Sequence, residues 1–432
     1  MKINDNIALE WLQEILHFES VEGVESENAP FGLELRKCLD YSLNLLNNLG
    51  FSTKDVEGYC GYGEVGEGEL FGILCHLDVV PVGDGWTFPP FSATLSDNKI
   101  YARGALDDKG PFICCLYAVA KLLEEGLVPK KRIRFILGCD EESGWKCMDR
   151  YQETEEMPVL GISPDSDFPV INCEKGIVYH KISMNLPKGI LKIRGGERAN
   201  MVPDKAIATL SSEIYGDFIK NSNIDYVLDD NGDYIISFYG KSNHGSAPKG
   251  GVNAIYKLFK FLGQKEPEFQ ELFEIFSSHN GEKIGLNLVD EISGILTLNL
   301  GTINIVNDKI VMELDIRYPI SYDKDQVTSI LKNGLPNMEI EQVFFHKPLY
   351  VAEDHYLVKT LLNAYNKVMK VNAKPITIGG GTYARVLPLG VAFGPVFPGS
   401  KAKIHCVDEY IDLDEFYTAA KIYYYAIKEL CF

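Results

Sequence analysis

No stretch of the sequence approaches the roughly 20 consecutive apolar residues that a membrane-spanning helix needs, so a bilayer is excluded as a partner. A secretory signal is also lacking. The start, MKINDNIALEWLQEILHFESVEG, is acidic and amphipathic, without the basic head, apolar middle and small-residue cleavage site of an exported chain. The expectation is a cytoplasmic protein. Positive charge is scarce: 42 Lys and Arg stand against 61 Asp and Glu, for a formal charge of -19. A field of that sign opposes nucleic acid and anionic membrane surfaces. It is compatible with carboxylates gathered around divalent cations, although most of the excess must be solvated surface. Internal repeats and low-complexity tracts are missing as well.

What is present is the composition of a soluble globular protein, 46% hydrophobic and 24% charged. At 432 residues the chain is too long for one ordinary core, and two or three domains are expected. Its ten cysteines, in a chain with no export signal, read as reduced thiols and not as a disulfide framework. Cys75, Cys139 and Cys406 neighbour candidate site residues. Strand neighbours point to opposite faces, so Cys75 should face away from a site that His76 faces. All three read as small buried hydrophobes, with redox sensitivity as the alternative.

Ile7, Trp11, Leu12, Ile15 and Leu16 recur at helical spacing and predict a first helix. From about 71 to 165, short apolar runs alternate with helical ones. FGILCHLDVV suits a strand buried on both faces, KIYARG a second strand, PFICCLYAVAKLLEEG a helix and KRIRFILGCD a third strand. Between about 178 and 346 the pattern becomes antiparallel, in DYIISFYG, GILTLNLGTINIV and DKIVMELDIRY, with the helix-like GVNAIYKLFKFL among them. The earlier style then resumes, with helices in YLVKTLLNAYNKVM and DEFYTAAKIYYYAIKEL. The fold expected is α/β: a discontinuous domain over 1–177 and 348–432 with a mixed, largely parallel sheet flanked by helices. An α+β domain over 178–347 interrupts it.

Ligand-type residues stand where the apolar runs stop. His76 and Asp78 lie two apart on the first strand and so share a face, which suits an imidazole oriented by a carboxylate. Open α/β sheets bind ligands at such strand ends. Asp107 and Asp108 precede a helix; an N-cap would account for one of them. Asp140, Glu141 and Glu142 end a buried strand, where three like charges are costly without cations or solvent. Asp165 and His405 follow the same pattern. Together these supply two imidazoles and several carboxylates, a donor set for zinc, manganese or cobalt more than for calcium or magnesium. GGGTYAR lacks the Lys-Ser/Thr pair of a phosphate loop, and Gly61, Gly63 and Gly66 precede a strand, unlike a dinucleotide fingerprint. His17, His180, His279, His346 and His355 read as structural or exposed.

The segments CHLDVVPVGDGW, YARGALDDKGP, DEESGWKCMDRY, SPDSDFPVINCEKG, GKSNHGSAP, GGGTYAR and FPGSKAKIHCVDEY resemble the signature blocks of the aminoacylase and carboxypeptidase family of dinuclear zinc peptidases, in the family's order. DEESGWKCM and PDSDFPVINCEKG resemble its PepV-type bacterial dipeptidases. The resemblance implies that His76, Asp107 and Asp165 hold one metal and that Asp107, Glu142 and His405 hold the other, with Asp107 bridging. It further implies Asp78 as the residue orienting His76, Glu141 as general base, and a cis peptide after Asp107. The inserted domain would be a lid on which His244 stabilises the oxyanion. Asn200 and Arg317 would grip the substrate there, and Gly380, Gly381, Thr382 and Arg385 would form a close-approach turn.

The activity so implied is hydrolysis of amide bonds in dipeptides or short peptides with a free N-terminus. A water held by two divalent ions, zinc or else manganese or cobalt, would be the nucleophile. Deacylation of N-acyl amino acids, of the aminoacylase or succinyl-diaminopimelate desuccinylase kind, is the alternative on the same chemistry. A noncatalytic binding protein on a retired peptidase fold would have lost Glu141 or a ligand, and every such position is filled. The enlarged insert favours a monomer over a homodimer.

Overall fold

Seven consecutive buried residues, Leu70–His76, form the middle strand of a nine-stranded sheet. The computed structural model describes residues 3–402 and 404–432. The strand Leu70–His76 pairs in parallel with Arg132–Gly138 on one side and Leu160–Ser163 on the other, and Leu389–Ala392 adds a fourth parallel strand. A strand with neighbours on both edges and helices over its faces has no solvated side, which is why FGILCHL is a continuous apolar run. Outward from this centre the pairing becomes antiparallel, through Cys60–Val65 and Ser52–Val56. The sheet is therefore mixed, with its parallel part confined to the strands that end nearest the candidate ligands.

The flanking helices are Asp5–Leu16, Leu33–Asn48, Lys109–Glu124, Tyr356–Met369 and Leu413–Cys431. Asn4 caps the first, its side chain accepting from the N–H of Ile7, and Asp412 caps the last by accepting from Asp414 and Glu415. Lys109–Glu124 is buried on most of its circumference, so its sequence is apolar all round and not striped. Among the described residues no helix is long and apolar enough to cross a membrane.

KIYARG departs from its expected place. Lys99–Tyr101 is a strand of only three residues, and it lies outside the main sheet. It pairs antiparallel with Thr94–Ser96 and with Tyr410–Asp412 in a small separate sheet. That pairing sets two distant loops side by side, one leading to Asp107 and one leading from His405.

The chain divides into two compact units, Met1–Asn172 with Leu349–Ile376 and Thr382–Phe432, and Cys173–Pro348 with Thr377–Gly381. The second unit has an eight-stranded sheet whose strands run in the order Tyr226–Leu228, Tyr234–Tyr239, Lys205–Leu210, Ile190–Gly195, Thr297–Val306, Lys309–Tyr318, Gly176–Asn185 and Glu339–His346. All of these pairings are antiparallel. Burial alternates along Gly176–Asn185, as expected of a sheet with one covered face. Ala254–Leu262 and Pro267–Phe276 supply Ile255, Phe259 and Phe269 to that core, against Leu298, Ile303 and Ile316 of the sheet. All ten cysteines are free thiols and nine are buried; only Cys406 is exposed.

Candidate metal centre

Parallel strands end at the same edge, and that alone gathers most of the candidate ligands. His76 closes the strand Leu70–His76; Asp140, Glu141 and Glu142 follow Arg132–Gly138; Asp165 follows Leu160–Ser163. Asp107 arrives by the loop after Lys99–Tyr101, which turns at Gly104 with a φ of +83°. A side chain there would be strained, and its Cβ would press on Val79 at 2.9 Å. The Asp107–Asp108 peptide is cis.

The side chains converge within the first unit. His76 Nε2 lies 2.9 Å from Asp107 Oδ1 and 3.7 Å from Asp165 Oδ2. His405 Nε2 lies 2.8 Å from Asp107 Oδ2 and 2.8 Å from Glu142 Oε1. Asp107 thus offers one carboxylate oxygen to each imidazole and stands between the two groups. Glu141 offers a carboxylate oxygen within 4.8 Å of ligand atoms of His76 and Asp165. His76 is 1% exposed at its side chain and His405 47%, so one imidazole is sealed and the other reaches solvent.

The hydrogen bonds around His76 set its tautomer. Nδ1 is 2.9 Å from the carbonyl oxygen of Asp78, to which it donates, leaving Nε2 aimed at the carboxylates. The Asp78 carboxylate is farther from the ring, at 3.6 Å, and its Oδ2 accepts instead from the backbone N–H of Glu142 at 2.9 Å. Asp108, fully buried, accepts from the N–H of His76 at 3.1 Å. Asp140 does not join the cluster. It turns back to accept from the N–H groups of Gly144 and Lys146, at 2.7 and 2.8 Å, and so shapes the loop that carries Glu141 and Glu142. Trp145 completes that loop, its indole N–H donating to the Glu141 carbonyl at 2.8 Å.

Electrostatics test whether these groups fit a cation. Burial, then the charge of Asp107, pushes Glu142 up to about 7 and Asp165 up to about 6. Burial and Asp165 hold Glu141 well above the usual carboxylate range. Burial works against a charged His405, but hydrogen bonds to Asp107 and Glu142 outweigh it and push its pKa up to about 11. Asp107, despite burial, is held below its ordinary value by His405 and His76. Acceptor oxygens packed this closely, with imidazole nitrogens pointed into them, need protons or cations between them. Two imidazoles with several carboxylates make the donor set of a divalent transition metal, and the residues fit such a group.

Five other predicted residues, Asn200, His244, Arg317, Gly380 and Gly381, belong to the second unit. Gly245, next to His244, donates its N–H to the carbonyl of Asn200 at 2.6 Å, and Met201 and His244 form an isolated antiparallel bridge. His244 Nδ1 lies 2.6 Å from Ser246 Oγ. Arg317 is buried and its guanidinium holds both oxygens of Asp315, at 2.6 and 2.8 Å, and the carbonyl of Gly379 at 2.9 Å. The fork expected to grip a substrate is therefore engaged inside the unit, where it fixes the start of the Gly-rich turn. A Cβ at Gly379 would meet Ser246 at 2.8 Å, whereas one at Gly380 would find only ordinary contact. Gly381 ends the second unit's segment, while Thr382 and Arg385 belong to the first unit, both buried. Thr382 there caps the short helix Tyr383–Val386, accepting from Ala384.

The sequence singles out Asp108 and Asp140 without assigning either a role, and Arg103 and Glu409 are not singled out at all. Asp108 and Asp140 adjoin assigned residues, and their adjacency was the available signal. Nothing local marks Arg103 or Glu409.

Comparison with known proteins bears on this arrangement. The model of peptidase family M20/M25/M40 matches residues 72–429. A Bacillus subtilis protein provisionally named a dipeptidase is 40% identical over 444 residues, covering 97% of this chain and 96% of the relative. A Staphylococcus epidermidis protein with the same provisional name is 41% identical over 459 residues, covering 99% and 97%. Among solved structures, an M20-family metallo-carboxypeptidase from Sulfolobus solfataricus superposes with a TM-score of 0.61 at 20% identity, over 98% of each chain.

Proposed function

The chain belongs to the M20/M25/M40 peptidase family, and from that premise we propose that it is a PepV-type dipeptidase acting on dipeptides and short peptides with a free N-terminus. The observation that carries this reading is the convergence of His76, Asp107, Glu142, Asp165 and His405 beside Glu141. The dipeptidase names of relatives at about 40% identity support the substrate class.

In this reading His76, Asp107 and Asp165 hold one divalent cation, and Asp107, Glu142 and His405 hold a second, with zinc the first candidate and manganese or cobalt the others. Bound there, the cations supply acidification of water and polarisation of the scissile carbonyl. The protein's own groups do the rest. Asp78 fixes the His76 ring through its carbonyl and the Glu142 backbone through its carboxylate. The Glu141 carboxylate accepts a proton from the attacking water and returns it to the leaving nitrogen. Its neighbour Glu142 projects toward His405, which leaves Glu141 free for that transfer.

In the second unit, Asn200 and His244 bind substrate, His244 as donor to the oxyanion. Arg317 contributes by holding the turn at Gly379, and Gly380, Gly381, Thr382 and Arg385 shape that turn. The protein acts as a cytoplasmic monomer, the residues 173–348 being long enough to carry their own substrate-binding His; its size in solution checks this.

The test is a panel of unblocked dipeptides beside N-acyl amino acids, run on metal-stripped protein reloaded with zinc, manganese or cobalt. Cleavage of the dipeptides only after reloading is expected. Hydrolysis confined to the acylated compounds would replace this reading with a deacylase.

A further inference from the structure

The two metal-ligand loops that come from opposite ends of the chain are tied by one buried ion pair. Arg103 and Glu409 are 2% and 1% exposed, and Arg103 Nη1 donates to Glu409 Oε2 at 2.7 Å. The pair continues the small sheet. Tyr101 is paired with Tyr410, and one step on, the N–H of Ala102 donates to the carbonyl of Glu409 at 3.1 Å. From that point one chain runs on to Asp107 and the other runs back to His405.

Each arm of the pair ends one residue short of a candidate ligand. The second oxygen of Glu409 accepts from the backbone N–H of Leu106 at 3.0 Å, immediately before Asp107. The guanidinium also donates to the carbonyl of Cys406 at 3.2 Å, immediately after His405, and to that of Pro81 at 3.3 Å. A planar guanidinium presents its donors in a fixed fork, so it can hold these backbone segments at a set separation. A point-charge ammonium cannot. His405 needs that support more than its counterpart does. It is half exposed and sits in a left-handed turn with φ of +58°, whereas His76 is the last residue of a fully buried strand.

We infer that Arg103 and Glu409 are positioning residues that hold His405 against Asp107, and that they govern binding of the cation assigned to Asp107, Glu142 and His405 while leaving the one assigned to His76, Asp107 and Asp165 intact. This rests on the two-cation reading above. The asymmetry separates it from a general structural role. Loss of fold would weaken both cations alike, whereas loss of this tie weakens one.

The experiment is a zinc titration of metal-stripped protein by calorimetry, with the unfolding midpoint of each metal-free variant recorded alongside. The double variant Arg103→Met, Glu409→Gln removes both charges together, so no buried charge is left without its partner; Gln keeps an acceptor for Leu106. The wild type is expected to take two equivalents. The double variant is expected to keep one at wild-type affinity and to bind the other about tenfold or more weakly, the range seen when residues supporting metal ligands are lost. His405→Ala should give the same pattern. Arg103→Lys keeps the charge but not the fork, and should weaken the same equivalent by a smaller factor. It decides the matter if the double variant does not fold. Two equivalents bound as in the wild type, or both weakened together, overturn the inference. A wild type that binds fewer than two equivalents overturns the two-cation reading, and the inference with it.

Discussion

The backbone N–H of Glu142 donates to the Asp78 carboxylate over 2.9 Å, so the loop after one parallel strand is pinned to the loop after its neighbour. The same residue holds the His76 ring through its backbone carbonyl. One aspartate thereby sets the position of two candidate ligands that lie 66 residues apart in the chain, at 76 and 142.

Asp78→Ala removes the carboxylate that holds the Glu142 N–H but keeps the backbone carbonyl that holds His76, and should weaken metal binding by about 10-fold, the lower end of the cost of losing a residue that orients ligands. Asp78→Asn, which can still accept from Glu142, should lose less. Zinc titration of the stripped proteins measures both, and equal affinities for all three would remove Asp78 from this role.

Glu141→Gln separates proton transfer from metal binding. It should retain its metal, read by elemental analysis, and lose about 10²–10⁴-fold in kcat, the typical contribution of a positioned acid or base. A variant with near wild-type turnover would show that Glu141 is not the base.

Asp140 anchors the loop by two short bonds to Gly144 and Lys146. Asp140→Ala leaves those N–H groups without their acceptor and should destabilise the protein by about 1–3 kcal/mol, seen as a lower urea midpoint. Because the loop carries Glu141 and Glu142, activity should fall further than stability alone explains. An unchanged midpoint together with unchanged activity would contradict this.

His180 reports on acid stability. It is buried, and its Nε2 lies 2.9 Å from Thr328 Oγ1, whose own proton goes to the Lys324 carbonyl. Burial, helped by Lys332, pushes the pKa down to about 4 from an ordinary 6.5. The folded state therefore resists a proton that the unfolded chain takes up. Stability on this account is full above the unfolded value and falls as pH drops from there towards the folded value. Between about pH 7 and pH 5 the loss should be about 2 kcal/mol. His180→Gln should remove that part of the pH dependence, measured as the difference between urea midpoints at the two pH values. Parallel losses in both proteins would assign the acid sensitivity elsewhere.

The parallel centre of the sheet, and the places where ligand-type residues enter it, were legible in the sequence. FGILC and FILGC are apolar because they are buried on both faces, and their runs stop where the strands reach the edge, at His76 and at Asp140. What local pattern without the family resemblance could not distinguish was the part each of three adjacent acids plays. Asp140, Glu141 and Glu142 have nearly the same local chemistry; only the turn through Gly144 and Trp145 sends the first inward to backbone N–H groups and the others to the cluster. KIYARG likewise read as a strand, but its partner, Tyr410–Asp412, belongs to a distant part of the chain. Arg103 and Glu409, 306 residues apart, meet for the same reason. Local periodicity records which faces are buried, whereas the pairing of remote segments is a property of the folded chain alone.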